Sequence, residues 1–485
     1  MTSATFVAEI DWDNDGTFVD SGEDVTARVL AQPGIVCVRG RDTIRALAPP
    51  AAGACEFALN NASRDYSPAN GASPLAGQLI PGRAVRVRTT APSAVNLWRG
   101  TLDDLPQHPR LRGGTVGVPA LGTLARLRGV KVSTAFYQDI TTDLAFEYVC
   151  AAAGLAAAEY SALDTGRTTL TAWWCADDDA FEMLARIVAA EGPGATIYED
   201  GDGVVTFHSR HYRLLTTRCT TSQATFGTAS EPKHSPPFGY EPNLKGVVNR
   251  ATLVTKTFAD AAWGNLAEWS GAVAIPPGGS HTVRLQWATP SSFYGYNWYD
   301  SGEGFWLTLD SAVGYAQSAI LTFGNPQDFV VTLTLAQTNG YASTSSEQLV
   351  TDEVDTSASQ AAYGVRPLPT AYNPWPYLDE ATARSFCNAI VVAYQEPRAT
   401  VRVTVRNANA TRLAQQLARE ISDRITVVEG QTGLNGPVLI ERIRHEIGAG
   451  GRFHTTQFDG ETIPAAYGDW YVVGTSAVGT GRAGF

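Results

Sequence analysis

The sequence predicts a mainly β, multidomain chain with α+β segments, and three observations lead there. Short runs that alternate apolar and polar residues are followed by turn chemistry, as in 6–12 and then Asn14-Asp15-Gly16. Turn formers are abundant, with 46 Gly and 26 Pro among 485 residues, and aromatic residues make up 10% of the chain. The apolar pattern takes a helical period only in limited stretches after residue 131. A chain of this length suggests about three domains. With 44% hydrophobic and 17% charged residues it is a folded chain and not a disordered one.

Residues 1–130 read as an all-β domain, barrel or sandwich, with strands at 6–12, 55–59, 84–88 and 96–102. Residues 131–210 read as a small α+β domain. Leu144, Tyr148 and Ala151 share a helical face before the stop at Gly154. A second helix, 178–191, has Asp177 to Asp179 as caps and first-turn acids, Phe181, Leu184, Ala185 and Val188 as its face, and Gly192-Pro193 as its end. Asp200-Gly201-Asp202-Gly203 marks a hairpin between 195–198 and 204–208. Residues 211–262 read as a connection, extended through the Pro-rich 211–245, and the first strand of a second β domain. Residues 263–350 are an aromatic-rich β unit. Residues 351–460 hold an irregular link, an amphipathic helix at 378–395, a possible helix at 411–421 and four strands; 461–485 form a tail rich in Gly, Ala and Thr.

Charge and cysteine content narrow the function. The formal charge of −12 argues against a surface that coats nucleic acid, which needs clustered Lys and Arg. The six cysteines form no C-x-x-C pair and predict buried free thiols. No basic-then-apolar leader and no long apolar run is visible, so a soluble chain made in a cytoplasm, without a membrane span, is expected.

Asp11-Trp12-Asp13-Asn14-Asp15-Gly16 starts like a calcium loop, but position twelve is Gly22, with Glu23 one residue late. The preferred reading is a hairpin turn between 6–12 and 17–19 with solvated acids, so no metal is expected; a melting shift on chelation would revive the ion. His208 and His211 fall on opposite strand faces, His445-Glu446 lacks a second ligand at Ala449, and His108, His234, His281 and His454 are isolated. No nucleophile elbow or phosphate loop is present, and Asp103-Asp104 and Glu199-Asp200 read as ordinary acids, so no catalytic residue and no cofactor is expected. Phe293, Tyr294, Tyr296, Trp298, Tyr299, Phe305 and Trp306 form the densest aromatic stretch. Tyr296, Trp298 and Tyr299 are candidate surface-binding residues for sugars or a neighbouring protein, against the alternative of core packing. On the surface reading, alanine at 296 and 298 impairs adsorption or assembly and leaves folding intact.

Ten stretches, in order, resemble the tail-tip hub proteins of long-tailed bacteriophages, themselves similar to the hub of contractile-tail baseplates. They are IDWDNDGTFVDSGEDVT, LNNASRDYSPANGASPLAGQLIPGRAVRVR, LWRGTLDD, LARLRGVKVS, AFEMLARIVAAEGPGATIYEDGDGVVTF, DTSASQAAYGVRPL, EPRATVRV, DRITV, GPVLIERIRHEI and GGRFHTTQFDGE. The resemblance implies a structural virion protein and not an enzyme. It implies two tube-like β-barrel domains per subunit, an inserted β-sandwich-like domain at 263–350, and a homotrimeric ring at the tail tip. It further implies a distal tail protein ring, a tape-measure protein and tail fibre or receptor-binding proteins as partners, with DNA passing through without specific binding. An acidic lining would suit that passage. Tyr66-Ser67-Pro68 and Pro81-Gly82-Arg83 carry over as sharp turns between strands near the ring interfaces. A host-surface carbohydrate- or receptor-binding tail protein is the alternative, a β-rich glycosidase a third, and a gene transfer agent would use the same protein.

Overall fold

The computed structural model describes residues 3–41, 47–109, 113–302, 306–463, 470–471 and 482–483. Most of the tail at 461–485, together with Phe305 and the side chain of Phe293, lies outside the described residues. The chain is mainly β and multidomain. Its largest element is one thirteen-stranded sheet that takes strands from both ends of the sequence.

In the N-terminal half of that sheet, Thr5–Ile10, Ala84–Ala91, Val95–Leu102, Gly114–Leu121, Ala54–Asn60 and Ile35–Gly40 are neighbours in that order. Alternation sets their faces: Val85 and Val87 are fully buried between half-buried Arg86 and Arg88. Trp12, Phe57, Leu59, Trp98, Val116 and Val118 fill the core beneath them. Ile35–Gly40 then pairs antiparallel with Leu434–Gly448, from Ile35 opposite Ile447 to Gly40 opposite Arg442. Beyond this seam the sheet continues through Phe453–Thr462, Thr400–Arg406 and Ser235–Glu241, over a second core of Phe226, Val401, Val403, Ile425, Ile440 and Phe458.

The segment 6–12 forms no hairpin with 17–19. Thr5–Ile10 pairs with Ala84–Ala91, and 17–19 carries no strand, because three carboxylates in the loop capture the backbone N–H groups that a hairpin ladder needs. Residues 211–245 are likewise not a plain extended link. They form the short helices Tyr212–Leu215 and Thr217–Thr220, and then Thr225–Phe226 and Ser235–Glu241 pair into the sheet. The link after 351 contains the helix Ser357–Tyr363.

The α+β region packs Thr142–Ala152 against Ala180–Glu191, with the hairpin Thr196–Glu199 and Val205–His208 beside them. Asp179 Oδ1 caps its helix by accepting from Glu182 N at 3.1 Å, and Gly192 (φ +109°) ends it. Asp379 caps Glu380–Tyr394 in the same way through Thr382 N at 2.9 Å, and Asn409 caps Ala410–Ala418 through Arg412 N at 2.9 Å.

The aromatic region is a two-sheet sandwich carried on a ribbon. The long strands Thr252–Ile275 and Val331–Thr351 run antiparallel, and their distal half joins Ser291–Asp300 in one sheet. Ser280–Gln286, Ser318–Gly324 and Thr308–Gly314 form the other. Val283, Leu285, Leu321, Phe323, Val331 and Leu333 fill the space between the sheets. A turn of the sandwich docks on the α+β region where Ala316 N donates to Thr134 O at 2.9 Å.

Candidate functional site

The aromatic strand Ser291–Asp300 splits its rings between two faces. Tyr294, Tyr296 and Trp298 pack against the sandwich core, with Trp298 5.8 Å from the Phe323 ring. Tyr299, of opposite parity, is 56% exposed. Tyr296, Trp298 and Tyr299 therefore form no common platform: the first two belong to the core side and only the third faces out. Two-residue periodicity held that signal, since 294, 296 and 298 share one face and 299 the other.

The outward face of this sheet has a different membership. Tyr299 stands opposite Leu335, Asn297 opposite Gln337, and Tyr341 opposite Trp263. Trp263 and Tyr341 are both exposed and meet edge to face at 5.1 Å. Between them and Tyr299 runs an amide ladder. Asn339 Nδ2 donates to Gln337 Oε1 at 3.3 Å, and Gln337 Nε2 to Glu268 Oε2 at 3.2 Å. Trp263 and Tyr341 lie on the long ribbon strands, well away in sequence from the cluster at 293–306.

The N-terminal acidic loop is held from within. Asp11, 1% exposed, accepts from Asn14 N at 2.6 Å and Asp15 N at 3.2 Å through Oδ1, and from Gly16 N at 3.0 Å through Oδ2. Asp15 Oδ1 accepts from Thr17 N at 2.7 Å. Asp11, Asp13 and Asp15 each bring a carboxylate oxygen within 4.8 Å of the others, and Asp13, Asp20 and Glu23 do the same. Burial pushes the Glu23 carboxyl up, and the neighbouring Asp11, Asp13 and Asp20 carboxylates add to the rise.

The acid pairs weighed as catalytic do not share a cleft. Asp103 and Asp104 are exposed. Glu199 is 2% exposed and works as a strut, accepting from Gly53 N and Leu124 N at 2.5 Å each. Burial pushes its carboxyl up to about 7 despite those two donors. Asp200 Oδ1 closes the following turn by accepting from Asp202 N and Val204 N at 2.9 Å. His454 is not isolated: cross-strand pairing brings its Nε2 to 3.0 Å from His445 Nδ1, with Thr456 Oγ1 3.1 Å from both. Burial lowers both rings, His454 to about 3, so the pair stays neutral.

Buried ion pairs surround the seam. Glu441 is held by Arg213 at 2.5 and 3.1 Å and by Arg41 at 3.3 Å, and the net effect of its arginines is to keep it ionised against burial. Arg39 reaches Glu420 at 2.7 Å, across 381 residues of sequence. Arg398 is internal, 3.4 Å from Glu461 and bonded to Thr462 O, and Arg83 Nε donates to Gln78 O at 3.1 Å. Tyr66 is buried against Trp12, ring centroids 6.0 Å apart, and Gly82 turns at φ +86°. On the open face of the sheet, Arg402 and Arg444 sit with Glu56 and Glu446, and Arg444 pairs with Glu446 at 2.7 Å. That face has mixed charge and is not predominantly acidic.

No protein-family profile and no curated protein sequence matches the chain. Among solved structures it is similar to the 43 kDa tail protein of a prophage from Shewanella oneidensis, at 12% identity and TM-score 0.48, covering 94% of this chain and 98% of that one. It is also similar to a tail protein from Neisseria meningitidis, at 9% identity and TM-score 0.47, covering 94% and 96%. A prophage tail protein from Listeria monocytogenes follows at 8% identity and TM-score 0.42, covering 94% of each chain.

Proposed function

We propose that the chain is a structural subunit of a phage-type tail tip, three copies of which ring the DNA exit channel. In this reading one face of the ring meets the tail tube or distal tail ring, and the other meets fibre or tip proteins. The observation that carries it is the seam. Two β domains from opposite ends of the chain lie edge to edge in one sheet, so a single subunit supplies two adjoining wall segments and three subunits supply six. Such an arrangement matches sixfold neighbours on one side and threefold neighbours on the other. The order of the sequence segments that resemble tail-tip hubs supports the same reading, and so does a wall whose open face pairs Arg with Glu and does not attract phosphate as a basic one would.

Electron microscopy of the purified protein and of tail particles that contain it tests the reading. A threefold ring with a central hole at the tail end is expected. A chain absent from the tip overturns it.

The outward amide ladder between Trp263, Tyr341 and Tyr299 favours a second role for the sandwich, contact with host-surface carbohydrate. Flat rings stack on sugar faces while neighbouring amides serve hydroxyl groups. Purified host cell wall is expected to retain the protein and to release the Trp263→Ala and Tyr299→Ala double variant. Equal retention of both removes this role and leaves the ring untouched.

A further inference from the structure

We propose that residues 11–23 form a calcium site whose ligands come from Asp11, Asp13, Asp15, Asp20 and Glu23. The first observation is the pair of overlapping oxygen clusters that share Asp13, each with all atoms within 4.8 Å. Calcium binds oxygens at roughly 2.3–2.6 Å, so two ligands of one ion stand no farther apart than about 5 Å. The second observation is independent of the loop's own turns. Glu23 is 2% exposed; its Oε2 accepts from Asp20 N at 3.0 Å, its Oε1 is buried without a hydrogen-bond partner, and the carboxylate brings an oxygen within 4.8 Å of those of Asp13 and Asp20. A buried carboxylate oxygen with no donor, beside other acids, is a costly arrangement that a cation resolves.

Glu23 reaches this place because the chain turns back ahead of it. Gly22 adopts φ +96°, Trp12 Nε1 holds Gly22 O at 3.2 Å, and Ile10 N holds Glu23 O at 2.9 Å. The acid that stands one position late along the sequence is thus folded into the cluster. Gly16, sixth from Asp11 with φ +87°, makes the sharp bend that a calcium loop needs. Among the described residues, none of the ion pairs involves these five acids. Arg86 pairs with Glu9, Arg126 pairs with Glu159, and Arg86 and Arg99 lie over the Phe18 ring at 4.2 and 5.6 Å. The donor set is all oxygen and rich in carboxylate, which selects calcium over zinc. Its density of protein ligands favours calcium over magnesium, which keeps its waters.

Terbium, which occupies calcium sites and luminesces when a nearby Trp is excited, reads the site directly. Trp12 is buried inside this loop and serves as the antenna. The full chain, stripped with a chelator, is expected to sensitise terbium and to lose the signal as calcium is added. Calcium is expected to raise the melting temperature by several degrees, and magnesium much less. Glu23→Gln is the discriminating variant. Without the ion it melts at or above the wild-type temperature, because the orphaned charge is gone; with calcium it loses most of the gain, and its affinity falls about tenfold or more. Asp13→Asn, at an exposed position, gives the same loss of affinity with an unchanged melting temperature in chelator. Two results overturn the site: neither terbium emission nor a melting shift at millimolar calcium, or emission that persists unchanged in both variants.

Discussion

The body and the inserted sandwich are both β, yet they are held together by different means. The body locks its geometry with arginine–carboxylate pairs that tie remote segments, buried for Arg213 and Arg41 on Glu441 and Arg398 on Glu461 and part-buried for Arg39 on Glu420. Such pairs are directional, and their cost of desolvation makes them poor general glue but good devices for fixing one arrangement. The sandwich relies on apolar filling between two three-stranded sheets and on its backbone ladder, and a two-stranded ribbon joins it to the body. Directional pairs fix the angles between remote segments, whereas apolar filling alone keeps a unit folded.

The largest effect should come from breaking the body's locks. Arg213→Ala leaves Glu441 buried and short of charge, and is expected to destabilise the protein by about 3–5 kcal/mol in urea unfolding. If proteolysis shows the sandwich still resistant in that variant, the two regions are separable. A loss shared by both makes them one cooperative unit. The next effect is local. Trp298→Ala empties part of the sandwich core and should cost about 2–4 kcal/mol, opening residues 276–330 to protease before the body. A variant with full stability that only loses adsorption would return Trp298 to the surface reading.

A smaller effect depends on pH. The ordinary Glu pKa of 4.5 rises to about 7 for Glu199 in the fold, so the folded state holds the proton more tightly between these values. The contribution is fully present below pH 4.5 and is lost as pH rises through 7, roughly 1–3 kcal/mol in all. Chemical denaturation at several pH values should show this slope in the wild type and not in Glu199→Gln. The smallest effect tests separability most sharply. Replacing 261–342 by Asn-Gly closes a short hairpin between Asp260 and Ser343, which already face each other. The body is expected to keep its melting temperature within a few degrees, since the sandwich touches it chiefly at the ribbon and at Ala316.

Much of the local structure was legible in the sequence because it is written locally. The helices Ala180–Glu191 and Glu380–Tyr394 announce themselves by their apolar faces, the first also by its Asp179 cap, and the hairpin around Asp200 by its Gly and Asp. The β character of Ser280–Gln286 and Ser318–Gly324 was visible in their apolar alternation. What escaped was long-range pairing. Nothing near Ile35–Gly40 states that its partner is Leu434–Gly448, and nothing near His445 points to His454. Glu23 stands one position late along the chain, and only the turn at Gly22 brings it beside Asp13 and Asp20. The splitting of Tyr296 and Trp298 from Tyr299 was readable from strand parity. The exposed pair Trp263 and Tyr341 was not, because it needs the register of two strands.

The seam also bears on how the protein is made. A ribosome releases Ile35–Gly40 long before Leu434–Gly448 exists, so the N-terminal domain waits with one strand edge open through most of synthesis. An open edge invites pairing with other chains, and here only the proper C-terminal strand supplies the matching register and the buried Glu441 that Arg41 and Arg213 require. A truncated chain lacks the closing strand. Completion of the sheet thus depends on the far end of the chain, and a truncated product keeps an open strand edge.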